Sequence, residues 1–383
     1  MLMDRDEEDD LGMRKIRVLF TASGSHIGGA TMAMLHLMLG LTSLSIKPIL
    51  LSTIPRREYL RLYQRLIEKN VKITLSKFYF KSLSYWIWLF FSSLRVIKKY
   101  GIDIVHCHGT KEALVAGLAA KLLKRKLVYT VEGDPNLEIS ISPHSYGLLD
   151  KLLLKLSWNI GLRFADKIVG CSNWMAEHLK KYGFRAIGIP NPIDYERFSS
   201  ITAHGLNIVS IARFEKAKNI ETLIIAASEI LKKKTDIKLV LVGGGSQEKE
   251  LRALAGKLSI SDNVEFQGFR PDVEKILEDG AVFVLPSIYE PFGMVVAEAL
   301  ASGLPIIVSR VGGLREIVRE GLNGFSFNPR DWHELSRKIL LLLEDKKLRE
   351  MMKNKARESA KEFSPENIAL KYLRVYRDVL RKN

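Results

Sequence analysis

A chain of 383 residues with 47% hydrophobic content and a mean hydropathy of +0.01 is long enough for two globular cores and too apolar for a disordered chain. Its two cysteines, Cys107 and Cys171, imply no disulfide framework and fit a reducing, cytoplasmic setting. The net charge of +16 is uneven: residues 1–190 carry 28 Lys+Arg against 16 Asp+Glu, and the remaining 193 carry 31 against 27, so the first half is the one expected to meet something anionic.

The N-terminal DRDEEDD lacks the basic-then-apolar order of a secretory signal, and residues 1–13 are expected to form an acidic flexible tail. Residues 16–22 read as a buried first strand. The following GSHIGGA places Gly28 and Gly29 before an apolar helix near Ala30, where backbone can approach a ligand. This spacing matches neither G-x-G-x-x-G nor the Walker A pattern. A strand at 48–53, a helix at 56–69 and a strand at 71–75 follow. Lys77 to Lys99 mixes aromatics with lysines, which suits either a core helix with solvated ends or docking on a membrane surface. Its longest apolar stretch, Tyr85 to Phe91, is too short to span a bilayer.

The strand at 102–106 ends in His106-Cys107-His108-Gly109. His106 and His108 share a strand face, so they are either metal ligands lacking a third partner or histidines lining a strand-end crevice. A helix (111–123) and a strand (127–131) lead to Glu132-Gly133-Asp134-Pro135, and 134–147 reads as a longer irregular segment. A helix at 148–164, a strand at 167–171 and a helix at 174–182 complete the half. Ile189-Pro190-Asn191-Pro192 breaks regular structure and marks the boundary.

The second half alternates more cleanly, with strands at 207–212, 238–242, 264–267, 282–285, 305–309 and 325–327. Intervening helices argue a doubly wound parallel sheet. The stretch AVFVLPSIYEPFGMVVAEALASG carries the chemistry. Its strand ends at Pro286, Pro291 suits a first helical turn, and Glu298 is the one polar residue from Met294 to Leu300. Glu290 sits outside the helix at the strand's carboxyl end, where open α/β sheets bind ligands. The backbone N–H groups of Phe292, Gly293, Met294 and Val295 face the same crevice, ready for an anion. Arg213 follows the first strand of this half, and Lys218 precedes Asn219, an expected N-cap; a lysine there opposes the helix dipole unless an anion sits between. Gly243-Gly244-Gly245 either admits ligand or turns the chain, and Gly312-Gly313 is a further candidate anion cradle.

Glu290 and Glu298, with seven residues between them in YEPFGMVVAEALASGLPIIVSRVGGLREIV, resemble the E-x7-E region of retaining GT-B glycosyltransferases of the large glycogen-synthase-like group 1 family. The resemblance extends over almost the whole chain. GSHIGGA is similar to that family's amino-terminal glycine loop, GCSNWMAEHLKKYGF with IPNPIDYERF to its interdomain region, and ARFEKAKNIETLIIAA to its Arg…Lys phosphate segment, with Asn219 where glycine is usual. It implies two Rossmann-like doubly wound domains facing a central cleft: residues 14–190 binding the acceptor, 191–364 binding the nucleotide sugar, and a helix from 365–383 crossing back to the first domain. Arg213 and Lys218 would neutralise the diphosphate, Glu290 would meet the sugar hydroxyls and Glu298 the ribose. Residues 292–295 would hold sugar and phosphate, with Gly28 and Gly29 closing from the opposite domain. The donor is then a UDP- or GDP-sugar consumed as substrate, and neither cofactor nor metal is expected. Where the family often carries a histidine, Glu132 stands. It is either an acceptor-orienting base or a turn residue, with His26, His106 and His108 as substitutes in the cleft.

The function so implied is hexosyl transfer with retention to a lipid-linked or envelope polysaccharide acceptor, in the cytoplasm or peripherally at the inner membrane face. An anionic membrane surface is a candidate partner, and no nucleic acid is expected. The alternatives are a nucleotide-sugar epimerase, which would turn over donor alone, or a non-catalytic sugar-nucleotide-binding protein on the same scaffold.

Overall fold

The computed structural model describes residues 15–22, 28–55, 60–76, 83–142 and 147–381. The expected acidic tail and His26 lie outside them. In the first half the order is β1 (Ile16–Ala22), α1 (Gly29–Leu41), β2 (Ile46–Thr53), α2 (Leu60–Glu68), β3 (Lys72–Ser76), α3 (Leu83–Tyr100), β4 (Ile104–Cys107), α4 (Thr110–Leu122), β5 (Lys126–Val131), α5 (Pro135–Ile141), α6 (Leu148–Phe164), β6 (Lys167–Gly170), α7 (Asn173–Lys180) and β7 (Ala186–Gly188). After α8 (Tyr195–Ser199) come β8 (Asn207–Ile211), α9 (Ile220–Leu231), β9 (Leu239–Val242), α10 (Glu248–Lys257), β10 (Val264–Phe266), α11 (Glu274–Glu278), β11 (Gly280–Leu285), α12 (Met294–Ala301), β12 (Ile306–Ser309), α13 (Leu314–Ile317), β13 (Gly324–Phe327), α14 (Trp332–Glu344), α15 (Lys346–Ala360) and α16 (Pro365–Arg381).

The strands form two parallel sheets, ordered β3-β2-β1-β4-β5-β6-β7 and β10-β9-β8-β11-β12-β13. These are the two Rossmann-like domains of a GT-B fold. Each sheet is covered on both faces, which is why its strands read as apolar runs rather than alternating ones. Leu19, Val105, Leu127 and Tyr129 pack under α3, α4 and α6, while Val18, Phe20, Ile104 and Val128 face α1, α2 and α16. That split follows the two-residue period of a strand. In the second sheet Phe283 and Leu285 face α12 and α15, whereas Val282 and Val284 face α9 and α14.

In the first domain the structure departs from the sequence expectation at two places. The 134–147 segment is not irregular throughout: Asp134 caps α5 by accepting from the Asn136 amide at 2.8 Å, with Pro135 in its first turn. The edge strand β7 is only three residues long and carries no apolar run to announce it.

The last helix leaves the second domain. α16 lies on α1, with Ile368, Ala369, Tyr372, Val375, Tyr376 and Val379 in the same apolar cluster as Phe20 and Met34. Complete burial of side chains this large contributes about 2–3 kcal/mol each. Its tyrosines also reach the sheet: Tyr376 Oη is 2.7 Å from His106 Nδ1, and Tyr372 Oη is 2.8 Å from Thr130 Oγ1.

Candidate active site

Both sheets reverse their winding at one point, between β1 and β4 in the first and between β8 and β11 in the second. A crevice opens there at the carboxyl ends of the strands. The segments leaving β8 and β11 carry Arg213, Lys218 and Glu290, and those leaving β4 and β5 carry His108 and Glu132.

Lys218 ends a 3-10 turn (Lys216–Lys218) before α9, and its Nζ lies 2.5 Å from Glu290 Oε2 in a half-buried ion pair. Ser287 donates to the same carboxylate oxygen at 3.4 Å. Glu290 Oε1 makes no hydrogen bond among the described residues, which leaves it an acceptor for a ligand hydroxyl. Arg213 is exposed at the end of β8, its guanidinium without a partner among the described residues. Asn219 is not the side-chain cap its sequence position suggests. Its backbone is left-handed, with φ of 53°, a conformation that glycine adopts freely and asparagine tolerates. Its side chain instead donates to the carbonyls of Pro286 and Pro329 and accepts from Thr222, tying the β11 loop to the start of α9.

α12 starts later than Pro291 predicts, at Met294, because Gly293 takes φ of 106° as its N-cap. A Cβ there would meet Leu314 Cδ2 at 2.6 Å. The amides of Phe292 to Val295 form no backbone bond among the described residues, as expected at a helix start. Across the crevice α1 also begins without an acidic first turn, capped by the extended backbone of Gly28. A methyl group on Gly29 would come 3.4 Å from Met294 Sδ. Two helix N-termini, one from each domain, therefore converge, and their aligned dipoles favour an anion between them.

The downstream glycines serve packing. A Cβ on Gly312, at φ of 51°, would lie 2.0 Å from the Glu290 carbonyl oxygen, and one on Gly313 would lie 2.3 Å from that of Pro291. Gly243 and Gly245 likewise sit against the carbonyls of Ala212 and Phe214. These close approaches seat the Glu290 and Arg213 loops.

On the opposite wall Glu132 uses both oxygens: Oε1 accepts from His108 Nδ1 at 2.8 Å and Oε2 from Asn191 Nδ2 at 2.6 Å. Against a carboxylate Nδ1 is the donor, so Nε2 is the open atom of His108; it is buried and unpartnered among the described residues. His106 does not line the crevice. It is fully buried, its nitrogens bonded to Tyr376 and Thr130, and burial lowers its pKa well below that of a free histidine. Among the described residues no group of three or more His, Cys, Asp or Glu side chains is placed to hold a metal ion.

Glu298 lies on α12, which packs against α8, and the charges acting on its carboxyl are those of Arg197, Asp194 and Glu274. Burial pushes its carboxyl up to about 8, opposed by Arg197 and reinforced by Asp194 and Glu274. Its carboxyl makes no hydrogen bond among the described residues. Burial without a hydrogen-bond partner thus favours the protonated form of this carboxyl, against the pull of Arg197.

Two descriptions match the chain. Residues 27–197 match Glycosyltransferase Family 4, and residues 196–359 match Glycosyl transferases group 1. The chain is a group 1 GT-B glycosyltransferase. It is similar to glycosyltransferase MJ1178 of Methanocaldococcus jannaschii, 28% identical over 92% of this chain and 95% of that one. It is also similar to an N,N'-diacetylbacillosaminyl-diphospho-undecaprenol alpha-1,3-N-acetylgalactosaminyltransferase of Campylobacter jejuni, 27% identical over 86% and 90%. In fold it matches Anabaena HepE in complex with UDP-glucose, with a TM-score of 0.77, 20% identity, and coverage of 95% of this chain and 100% of that one. These likenesses do not favour the epimerase or non-catalytic alternatives.

Hydrogen bonds that the sequence did not announce join the two domains of this glycosyltransferase next to Glu290. Tyr289 Oη accepts from the Asp134 amide at 2.8 Å, Ser172 Oγ donates to the Pro291 carbonyl at 2.7 Å, and Glu316 accepts from the amides of Asn173 and Trp174. Asp134, fully buried, also accepts from His178 and Tyr182. The Tyr289 and Ser172 bonds clamp residues 289–291 of the second domain onto the carboxyl edge of the first, one on each side of Glu290, and Glu316 adds a second tie from α13. Asp134-Pro135 is a legible helix start, but its bonds across the cleft depend on residues far apart in sequence.

Proposed function

We propose that this glycosyltransferase moves a hexosyl group from a nucleoside-diphosphate sugar to a lipid-linked or saccharide acceptor with retention of anomeric configuration, without a metal. The observation that carries the reading is the approach of the α1 and α12 N-termini with the Lys218–Glu290 pair leading into α12, a place for a departing diphosphate that Arg213 would also serve. The donor sugar would rest on Glu290 Oε1 and the amides of 292–295, with Glu298 toward the ribose. The acceptor hydroxyl would enter from the His108 wall and attack the anomeric carbon on the face the diphosphate leaves. The C–O bond to the leaving group breaks as the new one forms, and the acceptor proton passes to a diphosphate oxygen. HepE's complex with UDP-glucose supports a uridine donor, and the C. jejuni relative's name supports a diphospho-lipid acceptor.

Transfer is tested with a panel of UDP- and GDP-sugars against lipid-diphosphate and free saccharide acceptors, with and without EDTA. Glu290→Ala is expected to lose transfer by about a hundredfold or more while the melting temperature holds. Full activity in that variant would overturn the site assignment, and an inverted anomeric proton signal in the product would overturn retention. Loss of activity with EDTA that added metal restores would overturn metal independence.

A further inference from the structure

α6 presents its apolar side to water. Leu148, Leu149, Leu152, Leu153 and Leu156 are 86, 67, 62, 43 and 51% exposed. At about 100° per residue they fall within an arc of about 140°, with Lys155 at its border and Lys151 about 40° further round. The opposite side, Ser157, Trp158, Gly161 and Leu162, is the one buried on the sheet. α4 packs between α6 and α3, and α3 turns Ile87 and Phe91 outward on the same layer. Scattered surface leucines need no explanation, but five exposed leucines gathered on one side of a single helix do.

We propose that the outward face of α6 and α3 docks this chain on an anionic lipid surface, with the α6 leucines entering the acyl boundary. The charges choose this occupant over a second copy. α3 and α6 carry Arg95, Lys98, Lys99, Lys151, Lys155 and Arg163 against Asp150 alone, so two such faces would repel while anionic headgroups attract. No helix among the described residues is long and apolar enough to cross a membrane, so the contact is peripheral. Its place fits an acceptor anchored in lipid. The exposed leucines occupy the amino-terminal half of α6, which follows α5, and α5 starts three residues after Glu132 and touches the Lys216–Lys218 turn across the crevice. The inference deepens the lipid-linked acceptor reading but is read out without turnover.

The full chain is sedimented with phosphatidylcholine vesicles and with vesicles containing phosphatidylglycerol, at low and high salt. Binding to the anionic vesicles alone, weakened by salt, is expected. Leu152→Ser with Leu156→Ser should lower that binding about tenfold or more, and Lys151→Ser with Lys155→Ser should do likewise. Transfer to a soluble acceptor analogue should remain in both double variants, which separates docking from the catalytic reading. Equal binding of wild type and the leucine variant overturns the proposal. So does absence of anionic-vesicle binding, or a stable dimer in solution that the leucine variant dissociates.

Discussion

Replacing Glu298 by glutamine removes a group whose ionisation the fold opposes. A carboxyl held at about 8 instead of 4.5 corresponds to about 5 kcal/mol against the charged form. Glu298 keeps part of its surface in water, and screening brings the expected effect to about 2 kcal/mol. The sign follows from proton counting. Between 4.5 and about 8 the folded chain holds more protons at this position than the unfolded chain, so stability falls as pH rises through that window and levels above it. Glutamine has no such slope. Melting curves of wild type and Glu298→Gln, taken from about pH 5 to about pH 8.5, should therefore diverge, with the variant gaining about 4–8 °C relative to wild type at the alkaline end. A gap that stays constant across the series would refute the claim that this carboxyl is buried without a partner.

Glu132→Gln sets an amide against the His108 and Asn191 donors; transfer should fall about a hundredfold with little change in melting temperature, read by initial rates. Lys218→Met leaves Glu290 unpaired in a half-buried site and should weaken donor binding about tenfold or more, measured by calorimetric titration. Gly293→Ala forces a side chain into φ of 106° against Leu314 and should destabilise by about 1–3 kcal/mol in thermal unfolding. Tyr376→Phe takes the hydroxyl partner from buried His106 and should cost about 1–3 kcal/mol, seen as faster amide exchange in α16.

Much of this architecture could be read before any coordinates. The apolar runs at 16–22 and 281–285 declare buried parallel strands because both sheet faces are covered. The stripe through Ala369, Tyr372, Tyr376 and Val379 declares one buried helix face. Side-chain partnership was less legible. Asn219 looks like a cap by residue type, yet its role follows from a positive φ that one chain of letters does not reveal. His106 and His108 look equivalent two residues apart. The first is claimed by a helix 270 positions later and the second by Glu132. Pro291 misplaced the helix start because the glycine two residues on decides where the turn begins.

The chain's final helix closes the core of the domain that is made first. On a ribosome, the pocket around Phe20 and Met34 waits for Tyr372 and Tyr376 while the entire second sheet is synthesised. At about 5–20 residues per second that is roughly ten to forty seconds during which an apolar groove on α1 has no cover. Loss of α16 would thus uncover the amino-terminal lobe rather than the carboxyl-terminal one.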